Sequence, residues 1–249
     1  MKALFSDQIR PAMPASLVGG VSASRLRVYG GTAPDGQAGG SPHLHLACAE
    51  AYVILAGAGA VELLSLADGY QRLDLQPGDA VQFDPGVVHR IVNEGDLELL
   101  VLMQNAGLPE NGDAVFTFPP DVLEDEASYR QAASIDSVES ALARRDRAVA
   151  GLLLLKEGFA RSHEEGSRLL GALQRRAAEL VRPSAAAWLE LVDGGPGAAV
   201  AATHERVEQL VEGEPLDLAR AQASRVVLRP ERLGMCGRLN PLEIEGVRV

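Results

Sequence analysis

Residues 41–57 read Ser-Pro-His43-Leu-His45-Leu-Ala-Cys-Ala-Glu50-Ala-Tyr52-Val-Ile-Leu-Ala-Gly57. His43 and His45 stand two apart among strand-forming residues. On a β-strand, residues i and i+2 point to one face, so both imidazoles enter the same space. Glu50 can share that interior only where a turn or bulge between Leu46 and Ala49 resets the alternation. Tyr52 and Ile54 then lie on the face of Glu50, which makes Tyr52 a candidate pocket residue with a phenolic donor. A third histidine, His89, follows Pro85-Gly86 and opens another strand. Three neutral imidazoles and one carboxylate suit a divalent first-row transition metal. The same four groups aimed inward without an ion would be costly buried polar groups.

Around this stretch the chain has the grammar of strands and turns. Runs rich in Val, Leu, Ile and aromatics predict strands at Arg25–Tyr29, Pro42–Ala47, Ala51–Leu55, Ala60–Leu66, Tyr70–Leu75, Ala80–Phe83, His89–Val92 and Leu97–Gln104. The turns between them carry Gly57 and Gly59, Asp68-Gly69, Pro77-Gly78-Asp79, Pro85-Gly86 and Glu94-Gly95-Asp96. Many short strands with regular turn signals predict a sandwich or barrel. In a small barrel, inward side chains from separate strands meet near the axis. Cys48 is expected to be a small buried hydrophobe. Arg90, beside His89, should point out of the barrel toward the surface or an interface.

After residue 121 the apolar spacing changes to three and four. Leu169, Leu173, Ala177 and Leu180 form a helical stripe, with Leu170 and Val181 beside it. Ser162 followed by Glu165 fits a capping box, and Asp136 followed by Glu139 fits an N-cap with an acid in the first turn. Pro183 should end the long helix. Gly194-Gly195-Pro196-Gly197 reads as a loop before a helix near Ala198–Val211. Ser224–Leu228 and Leu242–Val249 look extended, and the last could add a strand to a sheet edge. The expected division is therefore 1–120, a β-barrel holding the site, and 121–249, a mainly helical region for packing or oligomerisation.

The 249 residues are 47% hydrophobic and 23% charged, as in ordinary globular domains. With 23 basic against 34 acidic residues the net charge is -11. Such a surface repels phosphate backbones and anionic lipid, so nucleic-acid and membrane partners are not expected. Two cysteines cannot build a disulfide framework. The start MKALFSDQIRP does not read as a secretion signal, and a cytoplasmic location is expected.

The four chemical positions sit in a pattern similar to that of cupins, which carry G-x5-H-x-H-x(3,4)-E-x6-G and G-x5-P-x-G-x2-H-x3-N. His43, His45, Glu50 and Gly57 match the first motif. Its leading glycine is displaced: Gln37 stands there, flanked by Gly36 and Gly39. Gly78, Gly86, His89 and Asn93 match the second, with Asp84 at the proline position and Pro85 following. The resemblance covers the first half of the chain. It implies a double-stranded β-helix, the cupin jelly roll, followed here by an α-helical region. It implies His43, His45, Glu50 and His89 as metal ligands, with Asn93 bracing a turn. One divalent transition metal per chain is expected, among Fe, Mn, Ni, Zn and Cu.

Three functions follow from such a site. The first is an isomerase or epimerase of a sugar or related hydroxy-carbonyl compound, with Glu50 and Tyr52 as catalytic candidates. Residues 89–113 are loosely similar to the end of the barrel in cupin sugar isomerases. An Arg and Lys cluster for a phosphate is not evident in the barrel half, which favours an unphosphorylated substrate. The second is an iron-dependent dioxygenase or oxidase. The third is a non-catalytic small-molecule-binding cupin. Cupins often pair, so a homodimer is expected.

Overall fold

The computed structural model describes residues 16–219 and 221–245. Among the described residues, ten strands form one antiparallel hydrogen-bonded network. They are β1 (Ser22–Val28), β2 (His43–His45), β3 (Glu50–Ser65), β4 (Gly69–Leu75), β5 (Ala80–Phe83), β6 (Val88–Met103), β7 (Ala114–Phe116), β8 (Val226–Leu228), β9 (Arg232–Leu233) and β10 (Gly237–Ile244). The order β4-β3-β6-β1-β10-β8 forms the main path, with β2 joining β6 and β7, and β5 joining β3. This is the expected β-barrel. Helices follow it: α1 (Pro120–Glu124), α2 (Glu126–Ala133), α3 (Val138–Arg161), α4 (His163–Val181), α5 (Ala185–Val192) and α6 (Ala198–Glu212).

Two expected turns are not turns. The stretches 51–55 and 60–66 are one strand, β3, and 89–92 and 97–104 are one strand, β6. The two pair along most of their length, with register shifts between Ile54 and Gly59. The turn-like residues of one face those of the other. Gly57 has φ 79°, and a Cβ there would lie 2.4 Å from the carbonyl oxygens of Gly95 and Asp96. The glycines therefore permit a shared bend in a continuous ladder rather than two hairpins. Asn93 braces this bend: its Nδ2 donates to the Val28 carbonyl at 3.1 Å, and its Oδ1 accepts from the Gly95 and Leu97 amides, each at 3.1 Å.

The face of β6 carrying Leu97, Leu99, Val101 and Met103 is buried, and Gln104 beyond it is exposed. In the helical region Leu170, Leu173, Ala177 and Val181 are the buried stripe of α4, with Leu169 and Leu180 packed at its edge. Ser162 caps α4 by accepting from the Glu165 amide. The cap of α3 is Ser137 rather than Asp136, because Ser137 and Ser140 form a reciprocal capping box while Asp136 accepts from the Ser140 hydroxyl. Residues 193–197 are not an open loop. They form a wide helical turn that joins α5 to α6, with Pro196 inside it.

The chain returns to the barrel after α6. β10 pairs antiparallel with β1, so residues 237–244 belong to the same sheet as residues 22–28. The expected final strand to Val249 runs past Glu245 outside the described residues. No helix among the described residues is long and apolar enough to cross a membrane.

Candidate metal centre

β2 presents His43 and His45 to the interior, β3 presents Glu50, and β6 presents His89 directly opposite His43 in the ladder. All four are at least 95% buried. One ligand atom from each lies within 4.8 Å of all the others. The alternation is reset where the sequence required it: residues 46–49 leave the strand as a bend before β3 begins.

Asp113 causes that bend. Its carboxylate is fully buried and accepts from three consecutive backbone amides, those of Leu46 (3.0 Å), Ala47 (2.7 Å) and Cys48 (3.2 Å). Its Oδ2 also accepts from His45 Nδ1 at 3.0 Å. One side chain therefore shapes the turn between two ligands and orients one of them. Burial alone would raise the Asp113 carboxyl, but the His45 ring and the backbone donors outweigh it and lower the pKa.

The other two imidazoles are oriented in the same way. His43 Nδ1 donates to the Ser41 carbonyl at 2.8 Å, and His89 Nδ1 donates to the Val87 carbonyl at 3.1 Å. A carbonyl oxygen can only accept, so the ring proton sits on Nδ1 in both. Both Nε2 lone pairs then face the centre, 3.1 Å apart. Glu50 Oε2 lies 3.1 Å from His89 Nε2 and 3.2 Å from His45 Nε2. His45 Nε2 and Glu50 Oε2 are buried with no hydrogen-bond partner of acceptable direction. Lone pairs converging at this separation repel unless a cation lies between them. Ligands about 2.1 Å from an ion and at right angles are about 3 Å apart, so the spacing fits a shared ion.

The shifts differ within the cluster: the carboxylates favour positive charge on His45, while burial and the neighbouring rings keep His43 neutral. Burial, reinforced by the facing His89 and His45 rings, holds His43 well below the usual imidazole range. Burial would lower His45 too, but the Asp113 and Glu50 carboxylates push it up to about 9. Burial would raise Glu50, yet the His89 and His45 rings hold it well below the usual carboxylate range.

The surrounding wall is mostly aromatic. Phe83 lies 4.2 Å from the His89 ring and 5.2 Å from Tyr52, and Phe116 lies 6.2 Å from His43. Tyr52 is buried; burial first, then the charge of the nearby Glu50, raises its phenol well above 10. Residues 32–104 match the family model described as a cupin domain. Residues 32–104 are a cupin domain.

The cupin segment resembles several solved structures. KdgF from Halomonas sp. is 29% identical over 27% of this chain and 57% of its own, with TM-score 0.24. A variant of Bacillus subtilis oxalate decarboxylase is 22% identical over 40% of this chain and 25% of its own, with TM-score 0.34. WlaRA, a TDP-fucose-3,4-ketoisomerase from Campylobacter jejuni, is 13% identical over 37% of this chain and 64% of its own, with TM-score 0.31. The chain thus spans less than two thirds of each of these proteins. No curated protein matches the chain.

The cupin site brings together every residue the sequence singled out for it. Cys48 is buried 3.8 Å from the Asn105 carbonyl, and burial pushes its thiol up to about 12. Arg90 does point out of the barrel, but it is fully buried rather than superficial. It pairs with Asp35 and with Glu62 across the ladder, and Lys156 of α3 covers the same Glu62. Asp113 is a residue of the site that spacing did not reveal. Asp113 stands in the Asn-Gly-Asp turn between β6 and β7, with only its position there as a signal.

Proposed function

We propose that this chain binds one divalent first-row transition metal through His43, His45, Glu50 and His89. We further propose that it isomerises or epimerises a small polar hydroxy-carbonyl compound, such as an unphosphorylated sugar. The observation that carries the reading is the set of Nε2 and carboxylate lone pairs facing one point while every Nδ1 is committed elsewhere. A bound ion supplies Lewis-acid polarisation of adjacent carbonyl and hydroxyl oxygens.

The chain's own residues supply the remainder. Asp113 and the Ser41 and Val87 carbonyls hold the imidazoles in one tautomer and one orientation. Glu50 would take the proton from the carbon beside the carbonyl while the Tyr52 phenol hands its proton to the substrate oxygen, and the two return them on the neighbouring atoms to complete the turnover. Phe83 and Phe116 keep bulk water from the reacting atoms. This neutral wall supports an uncharged substrate over a phosphorylated one.

The test is a panel of hydroxy-aldehydes and ketoses in heavy water, with protein reconstituted with Zn(II) or Mn(II) under nitrogen. The reading expects deuterium to enter the carbon beside the carbonyl, and Tyr52→Phe to slow this by about 10²-fold. Turnover that requires iron and consumes oxygen would replace it with a dioxygenase or oxidase. Saturable binding without turnover would replace it with a binding module. A homodimer in the cytoplasm belongs to the same proposal. The exposed α6 side chains of Val200, Val207, Leu210 and Val211 support pairing, and a strictly monomeric mass by light scattering would reject it.

A further inference from the structure

Residues 84–87 read Asp-Pro-Gly-Val and join β5 to β6. Pro at the second place and Gly at the third are the composition of a tight turn whose third residue takes a positive φ. Gly86 has φ 88°, and the Val87 amide donates to the Asp84 carbonyl at 3.2 Å. The turn touches two of the four proposed ligands. The Gly86 amide donates to the His45 carbonyl at 2.8 Å. The Val87 carbonyl accepts from His89 Nδ1 at 3.1 Å. The backbone of one ligand and the ring of another thus depend on adjacent residues of one turn.

The partner of the remaining carbonyl comes from the helical region. Gln174 of α4 donates its Nε2 to the Gly86 carbonyl at 2.9 Å, across 88 residues of sequence. Leu170, Leu173 and Ala177 bury α4 in the core shared with the barrel, and Gln174 is half-buried beside them. The peptide between Gly86 and Val87 is therefore held at both ends, its N–H by Asp84 and its carbonyl by Gln174. We infer that Gln174 is a positioning residue of the metal centre: by holding the Gly86 carbonyl it fixes the turn that sets the His45 backbone and the His89 ring. This rests on the metal reading proposed above. Gln174 lies outside the cupin segment 32–104, so the helical region takes part in building the site. Groups that orient ligands from outside the coordination sphere tune metal affinity.

The test titrates the full chain with Co(II), reading affinity and the visible ligand-field bands for the parent protein and for Gln174→Met, Gln174→Lys and His89→Ala. Gln174→Met keeps the length of the side chain and removes its donor. It should weaken Co(II) binding about three- to tenfold, below the roughly 10–100-fold typical of a direct outer-shell partner, and shift the bands. Gln174→Lys places an N–H donor on a stem long enough to reach the Gly86 carbonyl and should return both readouts toward the parent values.

Parental affinity and bands in Gln174→Met would overturn the inference. Equal losses in Gln174→Met and Gln174→Lys would overturn it as well, because the donor would then be immaterial. Should Gln174→Met fail to fold, Gln174→Glu takes its place with the same two outcomes: it keeps the shape and, at about pH 7, sets a carboxylate against the carbonyl. Undiminished Co(II) binding in His89→Ala would instead sink the metal reading itself, and a parent protein that takes up no Co(II) would sink both.

Discussion

β3 and β6 carry two clusters of buried polar side chains on opposite faces. Inside the barrel, Glu50 of β3 and His89 of β6 meet His43 and His45. Outside it, Glu62 of β3 lies across the ladder from Arg90 of β6, and Asp35, Lys156 and Tyr70 complete the group. His89 and Arg90 are neighbours in sequence, and both are at most 1% exposed. The outer cluster pairs opposite charges, and its carboxylates accept from guanidinium, ammonium and phenol. The inner cluster does not close on itself, because its lone pairs face one another. Burial of polar groups alone is thus no sign of a metal; the direction and partnership of their lone pairs are.

That contrast can be broken from either side. His89→Ala should remove most of the bound metal while leaving the outer cluster and the fold in place, as metal analysis and circular dichroism of the purified variant would show. Metal retained at the parent level would mean that the inner cluster is not the ligand set. Arg90→Ala should do the reverse. Removing one member of a buried ion-pair group leaves uncompensated charge and costs about 3–5 kcal/mol, readable by urea denaturation, with metal stoichiometry unchanged in the folded protein. Equal stability would show that the outer cluster contributes no net pairing.

Asp113→Asn tests a finer point. The amide preserves size but weakens the acceptor for His45 and for three backbone amides, so metal affinity should fall by about 10–100-fold. An unchanged affinity would remove Asp113 from the account of His45. The smallest effect concerns acid. Burial opposes ionisation of Asp35, but the Arg90 guanidinium outweighs it and lowers the carboxyl pKa. A lowered folded pKa contributes stability above the unfolded value and loses it as pH falls through the folded one. The stability gap between the parent and Asp35→Asn should therefore be full at pH 7 and shrink below about pH 4. A gap that stays constant across that range would contradict the pairing.

The ligands were legible because period-two alternation and local spacing bring them together: His43 and His45 share a face by geometry, and the bend after Leu46 was required for Glu50 to join them. The ends of the strands were less legible. Gly57, Gly59 and Gly95 carry the composition of turns, yet the close pairing of β3 with β6 uses them to bend a continuous ladder. The outward direction of Arg90 was readable from alternation, whereas its burial was not, since it depends on a helix 66 residues later placing Lys156 over Glu62. Asp113 and Gln174 escaped for the same reason: each acts on backbone far away in sequence, and no local period marks such a contact.

The central claim is that one ion is shared by three imidazoles and a carboxylate. An anomalous-scattering map from crystals of the metal-reconstituted protein tests it most directly. The account predicts one peak about 2.0–2.2 Å from Nε2 of His43, His45 and His89 and from a carboxylate oxygen of Glu50. A peak elsewhere, or none among these four side chains after reconstitution, would contradict it.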